Sequence, residues 1–164
     1  SGRRLRKIGG FMARQGRQWL KDVLGSRLPL WGWLLFLFLD FAMKFLVMWA
    51  VGYRWGAALV GAGLSSPLAT IVGLAAYHPF PKATTARYAL IYFSVIVVLK
   101  LLLGWMSGVT EVRGGVLLVQ DGKWTFAGAQ EKLLMAFCEA FLSTVVLLFL
   151  QGLLVARRRV SAAD

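Results

Sequence analysis

The sequence predicts an all-α membrane protein: a four-transmembrane-helix bundle with an N-terminal basic interfacial helix and a short extracytoplasmic β-hairpin. Three observations predict it. Apolar residues make up 59% of the chain and charged residues 16%, against roughly 45–50% and about 25% in soluble domains. The apolar excess is gathered into long runs, such as residues 30–51 and 89–106, each near the length that crosses a hydrocarbon core. A chain of 164 residues has too little interior to hide all of this from water. The basic residues, finally, collect outside the runs and at the chain ends.

Residues 1–28 form a basic amphipathic segment. Leu5, Ile8, Met12, Trp19, Val23 and Leu24 recur at near-helical spacing among arginines and lysines. The segment is predicted to lie on the membrane, with Arg14, Arg17 and Lys21 among anionic headgroups. No apolar stretch follows the basic residues as a signal peptide requires.

The transmembrane domain is predicted over 29–156, with spans at 30–51, 56–76, 86–106 and 133–156. Pro29 suits the start of the first span. Trp31, Trp33, Trp49 and Tyr53 suit its two interfaces. The second span is rich in small residues. Gly52, Gly56, Ala57 and Gly61 are expected to bring helix backbones together, and Ser65-Ser66-Pro67 to kink or interrupt the helix. His78-Pro79-Phe80-Pro81 reads as a stiff loop, and Thr84 or Thr85 as the cap of the third span.

Between the third and fourth spans, Asp121-Gly122 separates two β-rich runs, a strong hairpin signal over 112–128. A two-residue turn pairs Val119 with Trp124 and Leu117 with Phe126. A basic tail, 157–164, opens with Arg157-Arg158-Arg159.

Four spans put both ends on one side. That side carries thirteen of the nineteen basic residues, including Lys82 and Arg87 in the loop after span two. The positive-inside bias therefore predicts cytoplasmic termini in a plasma membrane of bacterial inner-membrane type. The same bias explains the net charge of +12 without a nucleic-acid partner.

Four ionisable residues fall inside apolar runs: Asp40, Lys44, Lys100 and Glu139. Each costs about 2.5–3.5 kcal/mol at a helix centre, so each should face protein and pair. Asp40 and Lys44 share one helix face. Counted along the helices, Lys44, Lys100 and Glu139 reach a common depth of roughly 10–12 Å below the outer boundary. The set is neutral. It suits helix-locking ion pairs, a contact to another subunit, or a polar pathway. Ser143 and Gln151 read as helix–helix hydrogen-bonding residues.

The single cysteine, Cys138, excludes an internal disulfide, and the single histidine, His78, leaves no His/Cys cluster for a metal. No cofactor or phosphate-binding motif is present. The expectation is a non-enzymatic subunit or accessory factor of a larger membrane complex. Its partners would be the bilayer, anionic lipid headgroups, and other membrane subunits or further copies of itself. A small transporter or channel using the four charges is the alternative. A weaker one is a lipid-modifying enzyme using His78 and Arg87.

Overall fold

The computed structural model describes residues 15–77, 84–106, 112–113, 116–117, 119–120 and 123–162. Of the basic opening, residues 15–25 are helical (α1); Arg14 and the residues before it lie outside the described residues, as do 78–83 with His78 and Lys82. Four long helices follow: α2 (Leu30–Ala50), α3 (Trp55–Tyr77), α4 (Thr85–Met106) and α5 (Phe126–Ser161). All four are long and apolar enough to cross a membrane. Each packs on its neighbours in the chain, and α5 closes the ring against α2.

The distribution of polarity is inverted relative to a water-soluble bundle. Leu30, Leu34, Phe38, Leu64, Leu90 and Phe149 point outward, while Asp40, Lys44, Ser66, Ser143 and Gln151 are buried. Such an arrangement is stable only where lipid replaces water around the bundle.

Local chemistry sets the helix ends. α2 terminates in a Schellman turn: Gly52 N–H donates to Trp49 C=O and Tyr53 N–H to Met48 C=O, both at 3.0 Å. Gly52 has a φ of 96°, which a side chain would strain. Its role is to end a helix, not to pack one. Thr84 caps α4, its Oγ1 accepting from the Arg87 N–H at 3.4 Å.

Three sequence expectations need correcting. Of the kink or interruption expected at Ser65-Ser66-Pro67, the interruption does not occur: α3 runs from Trp55 to Tyr77 with Pro67 inside it. Pro67 removes one N–H from the ladder, but Ala62, Ser66 and Ala69 are fully buried around it, and that packing holds the helix. The small-residue seam is also displaced. Gly56 and Ala57 are exposed, and nothing stands near Gly56; the inward stripe is Ala58, Ala62, Ser65, Ser66, Ala69, Gly73 and Ala76. Gly61 does meet α2, where an added Cβ would come 2.9 Å from Met48 Cε. Third, Trp33 is no interfacial anchor. It is 4% exposed and stacks edge-on against Phe36 with centroids 5.4 Å apart. Gly73 makes room for its ring: a Cβ there would overlap Trp33 Cη2 and Cζ3.

The segment before α5 holds two short antiparallel ladders. Val119 pairs with Trp124 and Gln120 with Lys123, while Asp121-Gly122 between them lie outside the described residues. Leu117 pairs with Val112 rather than with Phe126. Phe126 is already helical, because α5 begins seven residues before the expected 133 and ends at Ser161 instead of 156. The Thr125 carbonyl accepts from Ala129 N–H at 2.9 Å, starting the helix there.

At the end of the bundle where α1 meets the last turns of α5, a buried polar knot joins α3, α4 and α5 to Ser26, just after α1. Gln151 Nε2 donates to the Ser26 carbonyl at 2.8 Å, and its Oε1 accepts from Thr85 Oγ1 at 2.9 Å. Tyr77 Oη donates to Thr85 Oγ1 at 3.2 Å. Outside this knot, Arg159 pairs with Asp22 at 2.9 Å. Gln151→Leu leaves the Ser26 carbonyl and Thr85 short of partners. It is expected to cost about 1–3 kcal/mol, measured by thermal unfolding in detergent, and to free α1 for faster hydrogen exchange.

Candidate functional site: a buried polar core

Helices α2, α4 and α5 each turn a polar pair spaced four residues apart toward the bundle axis: Asp40/Lys44, Tyr88/Tyr92 and Glu139/Ser143. This spacing stacks two side chains on one helix face, one above the other. From α3 come Ser65 and Ser66. The four helices thereby place their few polar groups in one column.

The centre of the column is the Asp40–Lys44 pair. Nζ and Oδ2 are 2.7 Å apart, with side-chain exposures of 1% and 0%. Asp40 Oδ2 has no well-aligned hydrogen bond, so this contact is ionic. Its Oδ1 accepts from Ser143 Oγ at 2.7 Å, which ties α2 to α5. Lys44 Nζ donates to Tyr92 Oη at 2.9 Å, which ties α2 to α4. Nζ stands 5.1 Å from the Tyr92 ring centroid, so the ammonium meets the hydroxyl end of the ring and not its face. Tyr92 in turn donates to the Ser65 carbonyl at 3.1 Å. One ion pair therefore reaches all three other spans.

A turn further from the termini, Lys100 Nζ and Glu139 Oε1 are 2.6 Å apart, joining α4 to α5. This pair is less enclosed, at 21% and 10% exposure. The four sequence-predicted charges thus form two pairs. Asp40 is held by its own helix, and Glu139 by the lysine at matching depth. Among the described residues, the Ser65, Ser66 and Tyr88 hydroxyls are buried without a hydrogen-bond partner. Tyr88 stacks on Tyr92 with centroids 5.9 Å apart.

Ser143 and Gln151 both sit in inter-helix hydrogen bonds. Tyr88, Tyr92 and the Ser65 carbonyl were not singled out by sequence reasoning. The available signal was the four-residue spacing of Tyr88 and Tyr92 within an apolar run, in phase with Ile96. Of the candidate headgroup contacts, Arg17 and Lys21 are exposed on α1, and Arg87 is exposed on the first turn of α4.

Chemically, the core holds charge in place. Each acid has a lysine within 2.7 Å. Ser143 donates to a carboxylate that already neutralises a lysine, which ties α5 to α2. No family profile, curated protein or solved structure matches this chain.

Proposed function

We propose that this chain is a non-enzymatic integral membrane subunit or accessory factor of a larger membrane complex. The observation that carries the reading is the internal neutralisation of all four intramembrane charges across α2, α4 and α5. A transport site needs a group whose charge changes cheaply or is offered to a solute. A closed set of ion pairs serves the opposite end: it fixes one arrangement of helices and leaves an apolar outer face for lipid or neighbouring spans.

The transporter alternative loses its best sequence support, since α3 is continuous at Pro67. The lipid-enzyme alternative rests on His78, outside the described residues. The charge bias supports cytoplasmic termini in a bacterial inner membrane. Arg17, Lys21 and Arg87 would then meet anionic headgroups there, with the ladders between α4 and α5 on the opposite side.

Purification in mild detergent from cells expressing the chain at its natural level tests the proposal. Unrelated membrane subunits should co-migrate in fixed stoichiometry. A clean homo-oligomer that moves ions across liposome membranes would overturn the reading.

A further inference from the structure

Where α2 begins and α3 ends, the bundle surface carries a groove of about 320 Å³. Leu28, Leu30, Trp33, Leu74 and Tyr77 line it, with Arg27 as the one charged residue among them. Leu30 is 76% exposed, so the groove is open to whatever surrounds the bundle. Its lining falls into two zones. Arg27 precedes α2 and lies outside the apolar span. Leu30 and Trp33 belong to the first turn of α2, and Leu74 to the last turn of α3. A bilayer passes from headgroups to hydrocarbon over the same stretch, where a membrane-crossing helix starts.

Both zones are fastened in place. Arg27 is exposed between two buried residues, Ser26 and Leu28. The Ser26 carbonyl accepts from Gln151 Nε2 at 2.8 Å. Leu28 lies against Gly32, where an added Cβ would come 3.3 Å from Leu28 Cβ. Trp33 is seated by Gly73 and is 4% exposed. The arginine is therefore carried by anchored backbone, whereas Arg17 stands on a stretch, residues 15–20, that is exposed throughout.

We infer that this groove holds one phospholipid of net negative charge, its phosphate against Arg27 and an acyl chain along Leu30, Trp33 and Leu74. Charge complementarity selects the headgroup. The first turn of α2 has no acidic residue, and Asp22 is engaged by Arg159, so the rim is positive. A guanidinium presents a planar fork of donors that matches phosphate oxygens. The apolar lining below it selects the chain, which gains by leaving no wet or empty space there. A neighbouring helix would cover the leucines but would have to carry its own acid to the depth of Arg27. An anionic lipid has its phosphate at that depth already. The inference rests on the bilayer placement proposed above and not on any partner subunit.

The test uses the full chain in detergent, with phosphatidylglycerol as the anionic probe and phosphatidylcholine as the neutral one, bound lipids being counted by native mass spectrometry. The first phosphatidylglycerol should bind more tightly than the first phosphatidylcholine. Glycerol phosphate, a headgroup without chains, should not displace it at equal concentration. Arg27→Gln should weaken that first event by about fivefold, the worth of one basic side chain at an anionic surface, and leave phosphatidylcholine unaffected. Arg17→Gln should change neither. Leu74→Trp should fill the groove and weaken both lipids, with an unchanged unfolding temperature showing that the fold is kept. Equal losses in Arg17→Gln and Arg27→Gln would reduce the binding to surface charge and overturn the inference. Displacement by glycerol phosphate would overturn it too, by showing a site for a free anion. In intact membranes, a photoreactive benzoylphenylalanine in place of Leu30 should form adducts with phospholipid. Adducts with a protein chain instead would give the groove to a neighbouring helix and contradict the lipid site. A failure to find co-purifying subunits would sink the accessory-factor reading while leaving all of these outcomes standing.

Discussion

Asp40→Ala is expected to destabilise the bundle by about 3–5 kcal/mol, the usual cost of leaving one member of a buried ion pair without its partner. The substitution strands the Lys44 ammonium, only 1% exposed, with the Tyr92 hydroxyl as its remaining partner. It also removes the acceptor of Ser143. Lys44→Met should do comparable harm from the other side, leaving a carboxylate at mid-membrane with one hydroxyl donor. The double variant Asp40→Leu/Lys44→Met should be far less damaged than the two single losses added together. Replacing a whole buried pair by apolar groups is often neutral or stabilising. Unfolding in mixed micelles, followed by tryptophan fluorescence, measures all three. Additive losses would mean that the two charges do not act on each other. Lys100→Met should cost less than Lys44→Met, because the Lys100–Glu139 pair is more open.

Gly73→Leu is expected to prevent assembly of the α2–α3 interface. Even a Cβ at this position overlaps the Trp33 ring, and Trp33 is fixed between Phe36 and Tyr77. Phe36 is wholly buried and Tyr77 nearly so, which closes two sides of the ring; the side left open is a groove lined by Leu28, Leu30 and Leu74. Gly73→Ala should cost about 1–3 kcal/mol, the range for overpacking a filled core. Pairing it with Trp33→Leu should recover part of that loss, because the smaller side chain vacates the contested volume. By contrast, Gly61→Ala should be mild. It meets only the flexible end of Met48. Gly56→Ala, facing open space, should be silent in the same thermal unfolding assay.

Much of the architecture was legible in the sequence because hydropathy is additive along the chain. A run of about twenty apolar residues declares a membrane-length helix whatever surrounds it. The Asp40–Lys44 pair was legible for a related reason: a four-residue spacing is a local property of one helix. Depth put Glu139 in one layer with both Lys44 and Lys100, and the choice between them came only with the structure. The features that escaped depend on rotation about helix axes and on neighbours distant in sequence. Trp33 looks like a belt residue by position, and only the absence of a side chain at Gly73, forty residues later, admits it to the core. The small-residue stripe of α3 was misplaced because small residues occur on its outward face as well, at Gly56, Ala57, Gly63 and Ala75, which blurs the contrast between faces. The early start of α5 was hidden since 126–132 carries Gly128, Gln130, Glu131 and Lys132. Their polarity says nothing against a helix that extends beyond the apolar layer.

Lipid surrounding the four long helices, with the charges turned inward, is tested most directly by spin labels at Leu34, Leu64, Leu90 and Phe149, one outward-facing site on each helix. Single cysteines in a Cys138→Ser background, reconstituted in liposomes, supply these sites. Each label should collide readily with molecular oxygen, which concentrates in hydrocarbon, and rarely with a water-soluble nickel chelate. Ready collision with the chelate at even one of the four would place that helix in water and contradict a bundle of four membrane-crossing helices.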